Sequence, residues 1–83
     1  MSSVTWDTLA EYIHVELELG FTFASLAANR GSEDAFSRNR EHVRNVCQTV
    51  RHFIGRVPQD RRVKFLHALD GLEDRLRILD SQI

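Results

Sequence analysis

The chain has 83 residues, 42% of them apolar and 28% charged, with 12 acids against 11 lysines and arginines and a formal net charge of −1. These proportions belong to a globular domain rather than a disordered chain, and the near-zero charge gives no global field for nucleic acid or an anionic membrane. A single cysteine, Cys47, excludes an internal disulfide and a multi-cysteine zinc site.

A chain of this length is expected to form one small domain with a thin core, for which oligomerisation is a common remedy. The longest uninterrupted apolar run is three residues, Leu26–Ala28, so no bilayer span is expected. The opening residues MSSVTWDTLAEY have neither the basic start nor the apolar centre of a signal peptide. With the lone thiol, this points to the cytoplasm.

Punctuation divides the chain into three segments. Asn29-Arg30-Gly31 followed by Ser32-Glu33-Asp34 marks a helix end, then an N-cap with acids in the next first turn. Val57-Pro58 is the second break, because the residue before a proline is pushed out of helical geometry. The expectation is an all-α fold of three long helices over about 5–29, 33–56 and 58–81. Short connections make neighbours antiparallel, an up-down-up bundle.

The first segment holds an ambiguity. VELELGFTF, residues 15–23, alternates apolar and other residues without interruption, the pattern of a half-buried strand. No second stretch supplies a pairing strand, and isolated strands leave their edges unsatisfied. Read as a helix, the segment places Asp7, Glu11, His14, Glu18, Thr22, Ser25 and Asn29 on one narrow wet arc. The rest forms an apolar arc wider than two neighbouring helices ordinarily cover. Trp6, Tyr12, Phe21 and Leu26 do not all fit one small core, which suggests a homodimer or a groove for a partner helix.

Glu16 falls within that apolar arc, with Gly20 one turn on. Two readings stay open. The acid is satisfied inside the fold or snorkels to its edge and helps fix register, or it contacts a ligand, a metal or a partner chain, with Gly20 letting a side chain or backbone come close. Antiparallel pairing across Gly31 sets position 16 level with about 46, making His42, Thr49 and Arg44 candidate neighbours. The candidate partner-binding residues are thus Glu16, Gly20, Phe21 and Leu26.

In the second segment Phe36, Val43, Val50 and Val57 recur every seven residues, and Asn39, Val46 and Phe53 fill the alternate seam positions. Cys47 flanks that seam and is expected to pack as a small hydrophobe. His42 and Cys47 are five residues apart, so they diverge on a helix and cannot act together as base and nucleophile. The third segment repeats the seam with Phe65, Leu69, Leu72, Leu76, Leu79 and Ile83, leaving Val63 and Ile78 off it.

Chemical signatures are sparse. Glu11-x-x-His14 has the spacing of a di-iron helix motif, but that site needs two such motifs and two further glutamates, and here the pair lies on the wet arc. No phosphate loop, nucleophile elbow or HExxH is present. No catalytic residue, metal or cofactor is therefore expected. Charge is uneven, −3 over residues 1–30, +2 over 31–57 and 0 over 58–83. Arg56, Arg61, Arg62 and Lys64 gather near the second break beside a helix N-terminus, the alternative reading being an anion- or nucleic-acid-binding site. Asp7 and Glu11 come to the same end of the bundle and offset that patch.

Leu19-Gly20-x-x-Phe23, with Gly31 opening a second helix, resembles the start of a tetratricopeptide repeat over roughly a third of the chain. That resemblance implies a peptide-binding groove. The first helix is too long for the repeat, and there is one copy.

Overall fold

The computed structural model describes residues 6–29 and 31–82, the Trp6 side chain excepted, so the expected places of the Trp6 side chain and Ile83 lie outside the described residues. Three helices follow in order: α1 (Trp6–Asn29), α2 (Glu33–Ile54) and α3 (Gln59–Asp80). No strand occurs among the described residues, and VELELGFTF is continuous helix in the middle of α1. The alternation arises because α1 is apolar on more than one side.

The helix ends follow the local chemistry. Ser32 has extended backbone (φ −135°, ψ 164°), and its Oγ accepts the Ala35 N–H at 3.0 Å, with Glu33 and Asp34 favourably placed at the positive end of the α2 dipole. α2 stops at Ile54, two residues short of expectation. The chain tightens there into bonds from Arg56 N–H to Phe53 O (3.0 Å) and from Val57 N–H to Ile54 O (3.1 Å). Carbonyls left over at the turn are taken by one side chain: Arg62 donates to Val57 O at 2.8 and 3.2 Å and to Gly55 O at 3.1 Å. α3 then starts after Pro58, with Asp60 in its first turn.

One apolar core joins the three helices. Ile13, Val43, Val50, Val57, Leu69 and Leu72 are its most enclosed large side chains. The α2 seam is expressed as expected, with Phe36, Val46, Cys47 and Ile54 also buried. α1 approaches closely at Gly20. A Cβ built there would stand 2.5 Å from Leu72 Cδ2 and 2.9 Å from Val46 Cγ1, well inside ordinary carbon contact. Both neighbours are core side chains, so any Cβ at this crossing forces them to move.

That crossing shifts the expected register. Gly20 lies on Val46, Tyr12 meets Phe53 edge-on at 5.9 Å between ring centroids, and Phe23 stacks on His42 at 4.4 Å. Position 16 is thus level with about 49 rather than 46, a slide of nearly one turn. α3 is tied to α2 by charge as well as packing. Asp80 accepts from Arg40 and Arg44, each at 2.8 Å, and Arg51 forks onto Glu73 at 2.7–3.0 Å. The described chain spans 48 × 22 × 15 Å along its principal axes.

Candidate functional site

The four candidate partner-binding residues of α1 do not form one surface. Gly20 is buried against Val46 and Leu72, so its small size serves the chain's own packing rather than the approach of a partner. Phe21 turns toward α3, its ring 3.7 Å from where a Gly71 Cβ would stand, with the Arg75 guanidinium 5.3 Å from the ring centroid. Glu16 is half-buried at the α2 side of α1 rather than in the middle of the core arc. Neither His42, stacked on Phe23, nor Arg44, held by Asp80, is its partner. Of the four, Leu26 is the exposed one, with 48% of its surface open.

Leu26 belongs to a longer stripe on α1. Tyr12, Val15, Leu19 and Leu26 are each 44–48% exposed. Their spacings of three, four and seven residues place them in one narrow line along α1, with Thr22 completing it. The core side of the helix uses a different set, Ile13, Leu17, Gly20, Ala24 and Ala27. α1 therefore carries two apolar lines, and its neighbours cover one. In the sequence Tyr12, Leu19 and Leu26 read together as one flank of a single broad arc rather than as a second line.

Charged side chains flank the stripe on both sides, and Arg61 and Lys64 of α3 line a cleft with Glu11 on the side away from α2. On the side away from α2 stand Asp7, Glu11 and Glu18, all exposed, with Glu18 3.3 Å from His14 Nε2. On the α2 side stand His42 on Phe23, His52 edge-on to Phe53 at 4.7 Å, and Arg56 with its guanidinium 5.5 Å from the Phe53 centroid. Arg38 is exposed one turn before His42 on the same helix face. Glu16 stands on this border as well, and Asp34 lies one turn before Arg38 on the same helix.

The cations named for the alternative site are separated by the fold. Arg62 is spent on the Gly55 and Val57 carbonyls, and Arg56 lies over Phe53. Arg61 and Lys64 line a cleft of about 490 Å³ between α1 and α3, where Glu11 faces them, as the charge offset at this end of the bundle requires. Arg51, at the same end of α2, is held by Glu73.

Reactive chemistry is equally dispersed. Among the described residues no three of His, Cys, Asp and Glu converge as a metal site. Cys47 is enclosed, and its thiol is pushed up to about 11, first by burial and then by the nearby Glu73 carboxylate, against the opposing pull of Arg51 and Arg44. It stays protonated at neutral pH, which removes its nucleophilic form. Among the described residues no helix is long and apolar enough to cross a membrane.

No protein-family model, curated protein or solved structure matches this chain. The likeness to a tetratricopeptide repeat stays confined to the residues that carry it. α1 runs for 24 residues, and Gly20 is closed by its own neighbours rather than by a following repeat.

Proposed function

We propose that this chain is a non-enzymatic helical self-assembly module of the cytoplasm, a homodimer formed through the outer stripe of α1. The observation that carries this reading is the stripe itself. Tyr12, Val15, Leu19 and Leu26 stand nearly half exposed at heptad spacing on a helix whose other apolar line already builds the core. Scattered exposed side chains need no explanation, whereas four aligned ones form a continuous apolar strip. A small domain with a thin core also gains by burying such a strip against another copy.

Sedimentation of the full chain tests this. The wild type is expected to dimerise at micromolar concentration, and Leu19→Asp and Leu26→Asp to be monomeric with unchanged helical circular dichroism, because neither side chain is in the core. A wild-type chain that stays monomeric at high micromolar concentration refutes the reading.

A further inference from the structure

Resting on the reading that the outer line of α1 meets a second copy, we infer that the contact spreads from that line onto α2, across the rings of Tyr12, Phe53, Phe23 and His42, and not toward α3. Two flanks border the line. Toward α2, rings bridge the two helices at both ends: Tyr12 meets Phe53 edge-on at 5.9 Å, and Phe23 stacks on His42 at 4.4 Å. His52 lies edge-on to Phe53 at 4.7 Å, and the Arg56 guanidinium stands 5.5 Å from the same ring. Away from α2, the exposed Glu11 and Glu18 give way to open clefts between α1 and α3. One of about 490 Å³ is lined by Glu11 and Lys64, and one of about 240 Å³ by Glu18 and Phe65.

Cost and fit both favour the α2 flank. Rings already held against one another lose little further rotamer freedom when covered, and they bury large areas. Phe53 is braced in this way by Tyr12, His52 and Arg56. Glu11, Glu18 and Lys64 are exposed, long and charged, so covering them costs rotamer freedom and hydration. Shape acts in the same direction. Interface centres pack as densely as protein interiors, and a second copy laid toward α3 would close over the clefts and leave voids or trapped water there. Aromatic residues and arginine are enriched at interfaces, whereas glutamate and lysine are depleted. Two acids stand on the α2 side, and neither blocks the contact. Glu16 is already half-buried by the fold, and Asp34 lies two turns before His42, beyond the ring pairs. The same patch serves whether the second α1 runs parallel or antiparallel.

Histidine footprinting reads the flank on the wild-type chain. His42 and His52 stand on the α2 side and His14 on the other, all exposed. Modification by diethyl pyrocarbonate is followed at each site as protein concentration rises through the dimerisation range, with Leu19→Asp as the monomeric reference. Modification of His42 and His52 is expected to slow several-fold on dimerisation while His14 keeps its rate. Slowing at His14 with His42 and His52 unchanged, or equal slowing on both flanks, overturns the inference and leaves self-association standing. No slowing at any of the three in a chain that sediments as a dimer confines the contact to α1 and also overturns it. A chain that never dimerises removes both readings. Substitution supplies an independent measure. Asn45→Glu, one turn from His42, and Ser25→Glu add the same charge at exposed positions on the two flanks. Asn45→Glu is expected to weaken the dimer about tenfold and Ser25→Glu to leave it unchanged; the reverse order overturns the inference.

Discussion

Two glycines sit inside helices, and alanine is expected to act in opposite directions at them. Alanine favours a helix interior over glycine by up to about 1 kcal/mol, so both substitutions begin with the same gain. At Gly71 the new Cβ would meet one atom, Phe21 Cζ, at 3.7 Å, an ordinary contact. Gly71→Ala is therefore expected to stabilise the chain by about 0.5–1 kcal/mol. At Gly20 the same atom would stand 2.5 Å from Leu72 Cδ2, 2.9 Å from Val46 Cγ1 and 3.4 Å from Val46 Cβ. Relief needs movement of about 1 Å toward normal carbon separation. Leu72 is fully enclosed, and Val46 is stiff at χ1 within its helix. Overpacking of this kind costs about 1–3 kcal/mol, which exceeds the propensity gain. Gly20→Ala is expected to lose about 1 kcal/mol net, lowering the midpoint of thermal unfolding by about 4–8 °C for a domain of this size. Circular dichroism melts of both variants at one fixed protein concentration measure the pair, since dimerisation shifts the midpoint. If Gly20→Ala melts at or above the wild type, α1 and α2 do not cross as closely as described.

Three further outcomes follow from named side chains. Burial pushes the Asp80 carboxyl up, but the Arg40 and Arg44 guanidiniums outweigh it and hold the group below its ordinary value. A depressed carboxyl stabilises the fold above its unfolded pKa and ceases to do so as pH falls through the lower folded value; urea unfolding between neutral pH and pH 2 should therefore show an acid loss that Asp80→Asn reduces. The Cys47 thiol, raised to about 11, should resist a thiol reagent at pH 8 in the native chain and react at once in denaturant, and rapid native labelling would show that the site is open. Because its folded pKa lies above the unfolded one, stability from this group is full below pH 9.0 and lost as pH rises toward 11. Arg62→Ala should cost about 1–2 kcal/mol by leaving the Gly55 and Val57 carbonyls to water, and Arg62→Lys should rescue little because one ammonium does not span both; full stability of the lysine variant would argue against the bridging role.

Much of the architecture was readable before any coordinates. Ser32 with its acids and Pro58 with its preceding valine are local signals, and a local signal survives without knowledge of the fold. The seven-residue recurrence from Phe36 to Val57 likewise fixes which side of α2 turns inward. Gly20 shows where this ends. Its place on an apolar arc is legible, but whether Val46 or a foreign chain fills the gap depends on the crossing of two helices. Phe21 and Leu26 sit on the same broad arc in sequence, yet α3 covers one and leaves the other open. Arg62 looked like part of a cationic cluster because nothing in the chain order reveals that two carbonyls at the turn need a donor.

Ion pairs supplement the apolar packing between α2 and α3. Between α2 and α3, Arg40, Arg44 and Arg51 reach Asp80 and Glu73. Between α1 and α2 the described contacts are Gly20 on Val46 and two ring pairs. Added salt screens the first seam, while excluded salts such as sulfate strengthen the second, and cooling weakens it. Because Leu72 of α3 also packs on Gly20, the oily contact ties all three helices together. In brine the molecule leans on its oily seam, and in the cold on its charged one.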